Sequence, residues 1–206
     1  VPESWLANHT LPTIRGDSDA IRQQYGAMVS YMDDVVGQLV AAFKQRRMWK
    51  DTLLVFLSDN GGPLYSPAGA NNYPLRGGKY SEWEGGLRVN AFVSGGLLPK
   101  ERRGEKLDDL THIADWYTTL CNLAGVEAED EMARMYSLPQ VDGVDLWPLL
   151  SGARLAEPVH SELYLTNQSL IVGHFKLITG KMGMTLWTGP QFPNSTCNCS
   201  SADACD

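Results

Sequence analysis

The most constraining stretch of this sequence is Thr52-Leu53-Leu54-Val55-Phe56-Leu57, an unbroken apolar run that stops abruptly at Ser58-Asp59-Asn60-Gly61-Gly62. A run without polar alternation reads as a strand covered on both faces, as in a parallel sheet. Ahead of it, Ile21, Tyr25, Met28, Val29, Met32, Val36, Leu39, Val40 and Phe43 recur at helical spacing, which predicts a helix of about six turns. Asp17-Ser18-Asp19 supplies an N-cap, and Arg46, Arg47 and Lys50 lie near the opposite end, where cations are favoured.

The remainder is punctuated differently. Residues 1–16 read as loop, and residues 61–86, rich in Gly, Pro and Asn, read as a long one. Loops of that length inside compact domains are usually functional. Leu87 to Val93 is expected to be a second strand, ended by Gly95, Gly96 and Pro99. Residues 100–109 are charged and read as a solvated loop. Thr111 to Leu123 is expected to be a second amphipathic helix, with Ile113, Trp116, Leu120 and Leu123 on one side and Gly125 as its stop. Residues 126–140 read as exposed loop, and 142–150 as a turn followed by a short apolar stretch. From Ser161 the pattern becomes short β segments at 163–165, 170–172 and 175–178, an antiparallel meander. A boundary is expected near residue 155, dividing a larger part, 1–155, from a small β subdomain, 156–206.

The 206 residues allow one sizeable core, or one core with a small appendage. No run approaches the ~18 apolar residues of a membrane span. The start, Val1-Pro2-Glu3-Ser4-Trp5, has neither the basic nor the apolar region of a signal peptide. With no initiator Met, the chain is expected to begin inside a longer protein. A net charge of −7 argues against nucleic acid as a partner, because phosphate neutralisation needs clustered Lys and Arg. An anionic substrate must then be held by a local cationic group and not by the whole surface.

Cys121 sits alone in an apolar helical pattern and reads as a buried thiol. Cys197, Cys199 and Cys205 cluster near the end; C-x-C-x5-C lacks a fourth zinc ligand, and disulfide bonding is the better reading. Asn8, Asn167, Asn194 and Asn198 each begin an N-glycosylation sequon, two of them beside cysteines. Together these point to the secretory pathway, lysosomal or extracellular.

Two features could carry chemistry. Asp59-Asn60 closes a buried strand, and in open α/β sheets ligands sit at the carboxyl ends of strands. Adjacent oxygen donors followed by two glycines suit a hard cation, calcium or magnesium, where zinc would call for His or Cys. Taken on four residues alone, an ordinary turn is the more common meaning of such a sequence. The second feature is cationic. Arg76-Gly77-Gly78-Lys79 follows, and Arg88 lies beyond Trp83-Glu84-Gly85-Gly86. A sulfate or phosphate ester needs positive groups on its non-bridging oxygens. Lys79 is the candidate, against the default of a solvated lysine. Glu84 and Arg88 read as a structural ion pair.

In order and spacing, Ser58-Asp59-Asn60-Gly61-Gly62, Asn71-Asn72-Tyr73-Pro74-Leu75-Arg76-Gly77-Gly78-Lys79 and Trp83-Glu84-Gly85-Gly86-Leu87-Arg88 resemble the sulfatase family. Tyr25 to Val29, Met32 to Gly37, His112 to Leu120 and Asp142 to Asp145 are similar to family segments on either side, so the likeness spans most of residues 20–180. The resemblance implies a partial alkaline phosphatase-like α/β fold, a mixed sheet between helices with a small antiparallel C-terminal subdomain. It implies that Asp59 and Asn60 are calcium ligands and that Lys79 contacts the sulfate. It also implies a formylglycine nucleophile, made by a formylglycine-generating enzyme from a Cys in a C-x-P-S-R motif. None of the four cysteines lies in such a motif, and His9, His112, His160 and His174 match no family catalytic histidine. They read as surface or packing residues. The expectation is therefore a fragment, truncated at both ends and inactive alone, of a sulfuric ester hydrolase acting on carbohydrate or aryl sulfates. The alternatives are a phosphoric ester or phosphonate hydrolase of the same superfamily, and a non-catalytic sulfate-binding relic. An Asn at position 60, where two-metal phosphatases commonly carry His, favours the sulfatase.

Overall fold

The computed structural model describes residues 3, 5, 17–65, 69–153 and 158–181. The chain divides into two compact units, Val1–Gly95 with Ile178–Asp206, and Gly96–Leu177. The boundary expected near residue 155 lies outside the described residues, as do Asn8, His9, Asn194, Asn198, Cys197, Cys199 and Cys205.

In the first unit, helix α1 spans Asp17–Gln45, where the periodicity places it. Ala27 on its inner side is 2% exposed. The Trp5 indole donates to the Ala27 carbonyl at 3.3 Å and sets its ring edge-on to Tyr31. Part of the apolar stripe is open: Met28, Val29, Met32 and Leu39 are each 43–49% exposed. Spacing predicts an apolar face, but not that anything lies against it.

Strand β1, Leu54–Leu57, pairs antiparallel with β2, Ala91–Ser94, in a register running from Leu54↔Ser94 to Leu57↔Ala91. Phe56 and Phe92 oppose one another and stack at 5.0 Å between ring centroids. Two expectations are corrected here. An unbroken apolar run encodes neither full burial nor the direction of its neighbour: the four residues of β1 are half-buried, and the observed neighbour is antiparallel. The second strand begins at Ala91 and not Leu87, because Glu84–Leu87 forms a one-turn helix, α2, with Gly85 and Gly86 buried.

In the second unit, α3 is Asp115–Ala124, ended by Gly125 at φ 69°, a left-handed cap that glycine adopts without steric cost. Helix α4, Glu131–Met135, is capped by the Asp130 carboxylate accepting from the Ala133 amide. Helix α5 is Trp147–Ser151. The start of α3 is buried and polar. Asp115, fully buried, accepts from the His112 amide at 2.6 Å, the Val144 amide at 2.9 Å and the His160 Nε2 at 2.9 and 3.0 Å. Thr119, also fully buried, donates to the Asp115 carbonyl and accepts from the Leu146 amide. His160 is thus a packing residue, as read. Within the stretch 100–109, Arg102 departs from the solvated reading. Its side chain is 14% exposed, is ion-paired to Glu105, and donates to the carbonyls of Leu149 and Leu150 at the end of α5. Cys121 is a free thiol that is half-buried, less than its apolar surroundings predict.

Strands β3, Glu162–Thr166, and β4, Ser169–Val172, pair antiparallel, and β5, Phe175–Ile178, extends the sheet in the order β3-β4-β5. Asn167 occupies the exposed turn between β3 and β4.

Candidate functional site

The segment between β1 and β2 leaves and returns at one place. The Ser58 amide donates to the Asn90 carbonyl at 3.1 Å, extending the ladder by one rung. Asp59 and Asn60 come next, at the end of β1. Asp59 is exposed, and one of its carboxylate oxygens accepts from the Asn60 amide at 3.0 Å. The Ser58 hydroxyl donates to the Asn60 carbonyl at 2.9 Å. These bonds fix the backbone of the pair.

The glycines after the pair are packed against glycines from the far end of the loop. The Gly61 amide donates to the Gly86 carbonyl at 2.8 Å, and a Cβ on Gly61 would lie 1.6 Å from the Gly85 carbonyl oxygen. The Gly85 amide donates to the Arg76 carbonyl at 2.7 Å. The Asn72 carboxamide holds the middle. Its oxygen accepts from the Gly62 amide at 2.9 Å, and its nitrogen donates to the carbonyls of Gly62 at 2.8 Å and Gly77 at 3.0 Å. The Lys79 amide donates to the same Gly62 carbonyl at 3.2 Å. The loop therefore brings the Lys79 backbone to a residue two positions past Asn60. Its side chain is turned to Tyr80, with Nζ 5.5 Å from the ring centroid.

The other cations of the loop are structural. Arg76 lies over the Trp83 ring at 4.2 Å, a cation–π contact. Arg88 and Glu84 approach to 4.0 Å with side chains 62% and 36% exposed, too open for more than a marginal contribution. The Trp83 indole nitrogen is buried without a partner among the described residues. Sequence reasoning missed Asn72 and Ser81, whose side chains pin this loop from inside. The signal available for Ser81 was its place between the Gly77-Gly78 and Gly85-Gly86 pairs; Asn72 has no such neighbours.

The donor set fits a hard cation in part. Asp59 and Asn60 offer adjacent oxygens, and among the described residues no cluster of three or more His, Cys, Asp or Glu side chains gathers there or elsewhere. Calcium takes six to eight oxygen ligands, so two residues are a portion of a shell.

A family model described as Sulfatase matches residues 5–126. Arylsulfatase J of Mus musculus is 32% identical over 192 residues, covering 82% of this chain and 30% of that protein. The chain belongs to the sulfatase family. This sulfatase chain also superimposes on the crystal structure of Ps i-CgsB with a TM-score of 0.69, at 28% identity, over 87% of its own length and 38% of the other. On PsFucS1 sulfatase from Pseudoalteromonas sp. the TM-score is 0.61, at 26% identity, over 74% and 30% of the two chains. The fold is accordingly part of the alkaline phosphatase-like sulfatase fold, helices and sheet with small antiparallel additions. The sulfatase chain spans about a third of the length of such relatives. The expectation that residues 58–88 are most like arylsulfatase B is not shown by these matches, which support the family. Among the described residues, no helix of the sulfatase chain is long and apolar enough to cross a membrane.

Proposed function

We propose that this chain contributes one wall of the metal and sulfate site of a sulfuric ester hydrolase acting on carbohydrate or aryl sulfates. The observation that carries the reading is the convergence of Asp59-Asn60 and the Lys79 backbone on the Gly61-Gly62 segment at the end of β1. Asp59 and Asn60 would hold one calcium ion, with magnesium as the alternative. Bound there, such an ion lowers the cost of charge on sulfate oxygens. Lys79, on a four-carbon stem, places an ammonium on a non-bridging oxygen and steadies charge that grows as the ester bond breaks. The oxygen-only donor pair supports one hard ion and not a zinc pair. The formylglycine nucleophile that the family likeness implies belongs to sequence outside these 206 residues. The exposed sequon at Asn167 supports the secretory route.

The test uses protein of the relatives' full length that includes this segment, assayed for 4-nitrophenyl sulfate hydrolysis and for melting with and without calcium. Asp59→Ala should remove the calcium-dependent rise in Tm. Lys79→Ala should keep that rise and lower hydrolysis by about 10²–10³-fold, the usual effect of losing one charge-stabilising donor. Faster cleavage of 4-nitrophenyl phosphate would move the reading to a phosphoric ester hydrolase. Turnover by the 206-residue chain alone would refute a nucleophile outside it.

A further inference from the structure

Lys79 does not stand alone at its position. Gly78 and Ser81, both buried, close a tight turn: the Ser81 amide and hydroxyl both donate to the Gly78 carbonyl, at 3.0 and 2.8 Å, and the hydroxyl accepts from the Gly78 amide at 3.1 Å. The two residues at its tip are Lys79 and Tyr80. Tyr80 takes φ 73°, a left-handed conformation that turns of this kind usually reserve for Gly or Asn. A bulky L-residue is held there against its steric preference. The result is a ring 73% exposed, stacked on Tyr65 at 5.9 Å between centroids and 22° between planes, with the Lys79 ammonium 5.5 Å from its centre.

From this geometry we infer that Tyr80, backed by Tyr65, is a stacking platform for the ring that carries the sulfate, and is therefore a specificity-determining residue beside Lys79. The inference rests on the reading of Lys79 as the sulfate contact. A sulfate gripped by an ammonium at that distance brings the ring it esterifies against the tyrosine face. Aromatic faces take either an aryl ring or the C–H face of a sugar. Charge matches as well: in a chain of net charge −7, an anion is drawn to this turn by its local cation.

The experiment is a ligand-observed NMR titration, at physiological salt, of protein of the relatives' full length that includes this segment, with three monoanions, namely methyl sulfate, phenyl sulfate and galactose 6-sulfate. Methyl sulfate has the charge and lacks the ring. The platform predicts that at least one ring-bearing ester binds about three- to tenfold tighter than methyl sulfate. Tyr80→Gly, which suits the turn's backbone and removes the ring, should bring that ratio to near one. Tyr80→Phe should retain it, and Phe175→Ser, at an exposed aromatic of the second unit, should not alter it. A ratio that survives Tyr80→Gly, or that never exceeds one, overturns the platform. If Lys79→Ala leaves methyl sulfate binding intact, or no sulfate binds at all, the Lys79 reading fails and the platform with it. A gain for phenyl sulfate alone assigns the platform to aryl esters, and a gain for the sugar assigns it to carbohydrate.

Discussion

Two chemically identical substitutions should have opposite signs in this chain. Gly61→Ala adds a methyl carbon 1.6 Å from the Gly85 carbonyl oxygen, 2.6 Å from its carbon and 2.9 Å from the Gly86 Cα. All three are backbone atoms, so no side chain can swing aside. Restoring ordinary contact requires a separation of about 1.8 Å, enough to break the 2.8 Å bond from the Gly61 amide to the Gly86 carbonyl. Overpacking costs about 1–3 kcal/mol and the lost bond about 1 kcal/mol. Alanine's smaller unfolded-state entropy returns about 0.4–1 kcal/mol. The net expectation is destabilisation by about 2 kcal/mol. Gly37, exposed in α1, has nothing within 4 Å of its added carbon. There Gly→Ala should stabilise by about 0.5–1 kcal/mol through helix propensity. Urea unfolding followed by circular dichroism measures both against wild type, at constant m. A Gly61→Ala chain within about 0.5 kcal/mol of wild type would mean that the far end of the loop does not fold back on the end of β1, and the site description would fall with it.

Other perturbations probe the second unit. Asp115→Ala strips the partner from the His112 amide, the Val144 amide and His160, and should destabilise by about 4 kcal/mol, since each orphaned donor costs about 1–3 kcal/mol. In a double-mutant cycle with His160→Ala, the two losses should fall short of additivity by at least about 1 kcal/mol; additive losses would contradict the pairing. Tyr117 is held above the ordinary tyrosine value of 10.0, first by the charge of the Cys121 thiolate and then by its hydrogen bond to Cys121. The folded chain therefore keeps that proton more tightly than the unfolded one, and the contribution fades as pH rises from the ordinary value through the folded one. Cys121→Ser should lower the phenol's midpoint in an ultraviolet titration, and an unmoved midpoint would remove Cys121 as the cause.

What the sequence discloses and what it withholds follow from range. The 3.6-residue period of Ile21 to Phe43 gives α1, and alternation with short turns gives the sheet of β3, β4 and β5, because both signals are local. The apolar run at 52–57 marks β1 but carries no information about its partner 34 residues further on, so the antiparallel pairing with β2 is visible only in the fold. Asp59-Asn60 and Lys79 stand out through family-like spacing, whereas their support does not. Asn72 reaches Gly62 across ten residues, and Asp115 reaches His160 across 45, distances at which nothing in local composition links the pair. Arg102 was hidden in a charged stretch because an arginine that caps a distant helix end looks, in sequence, like any solvated one.

The carboxamide of Asn72 meets Gly62 as a neighbouring peptide group would, taking its hydrogen and giving one back. A single side chain here does the work of an adjoining strand without belonging to one. Closure at Gly62 therefore depends on one carboxamide together with the Lys79 amide, so a change at position 72 reaches the end of β1 directly.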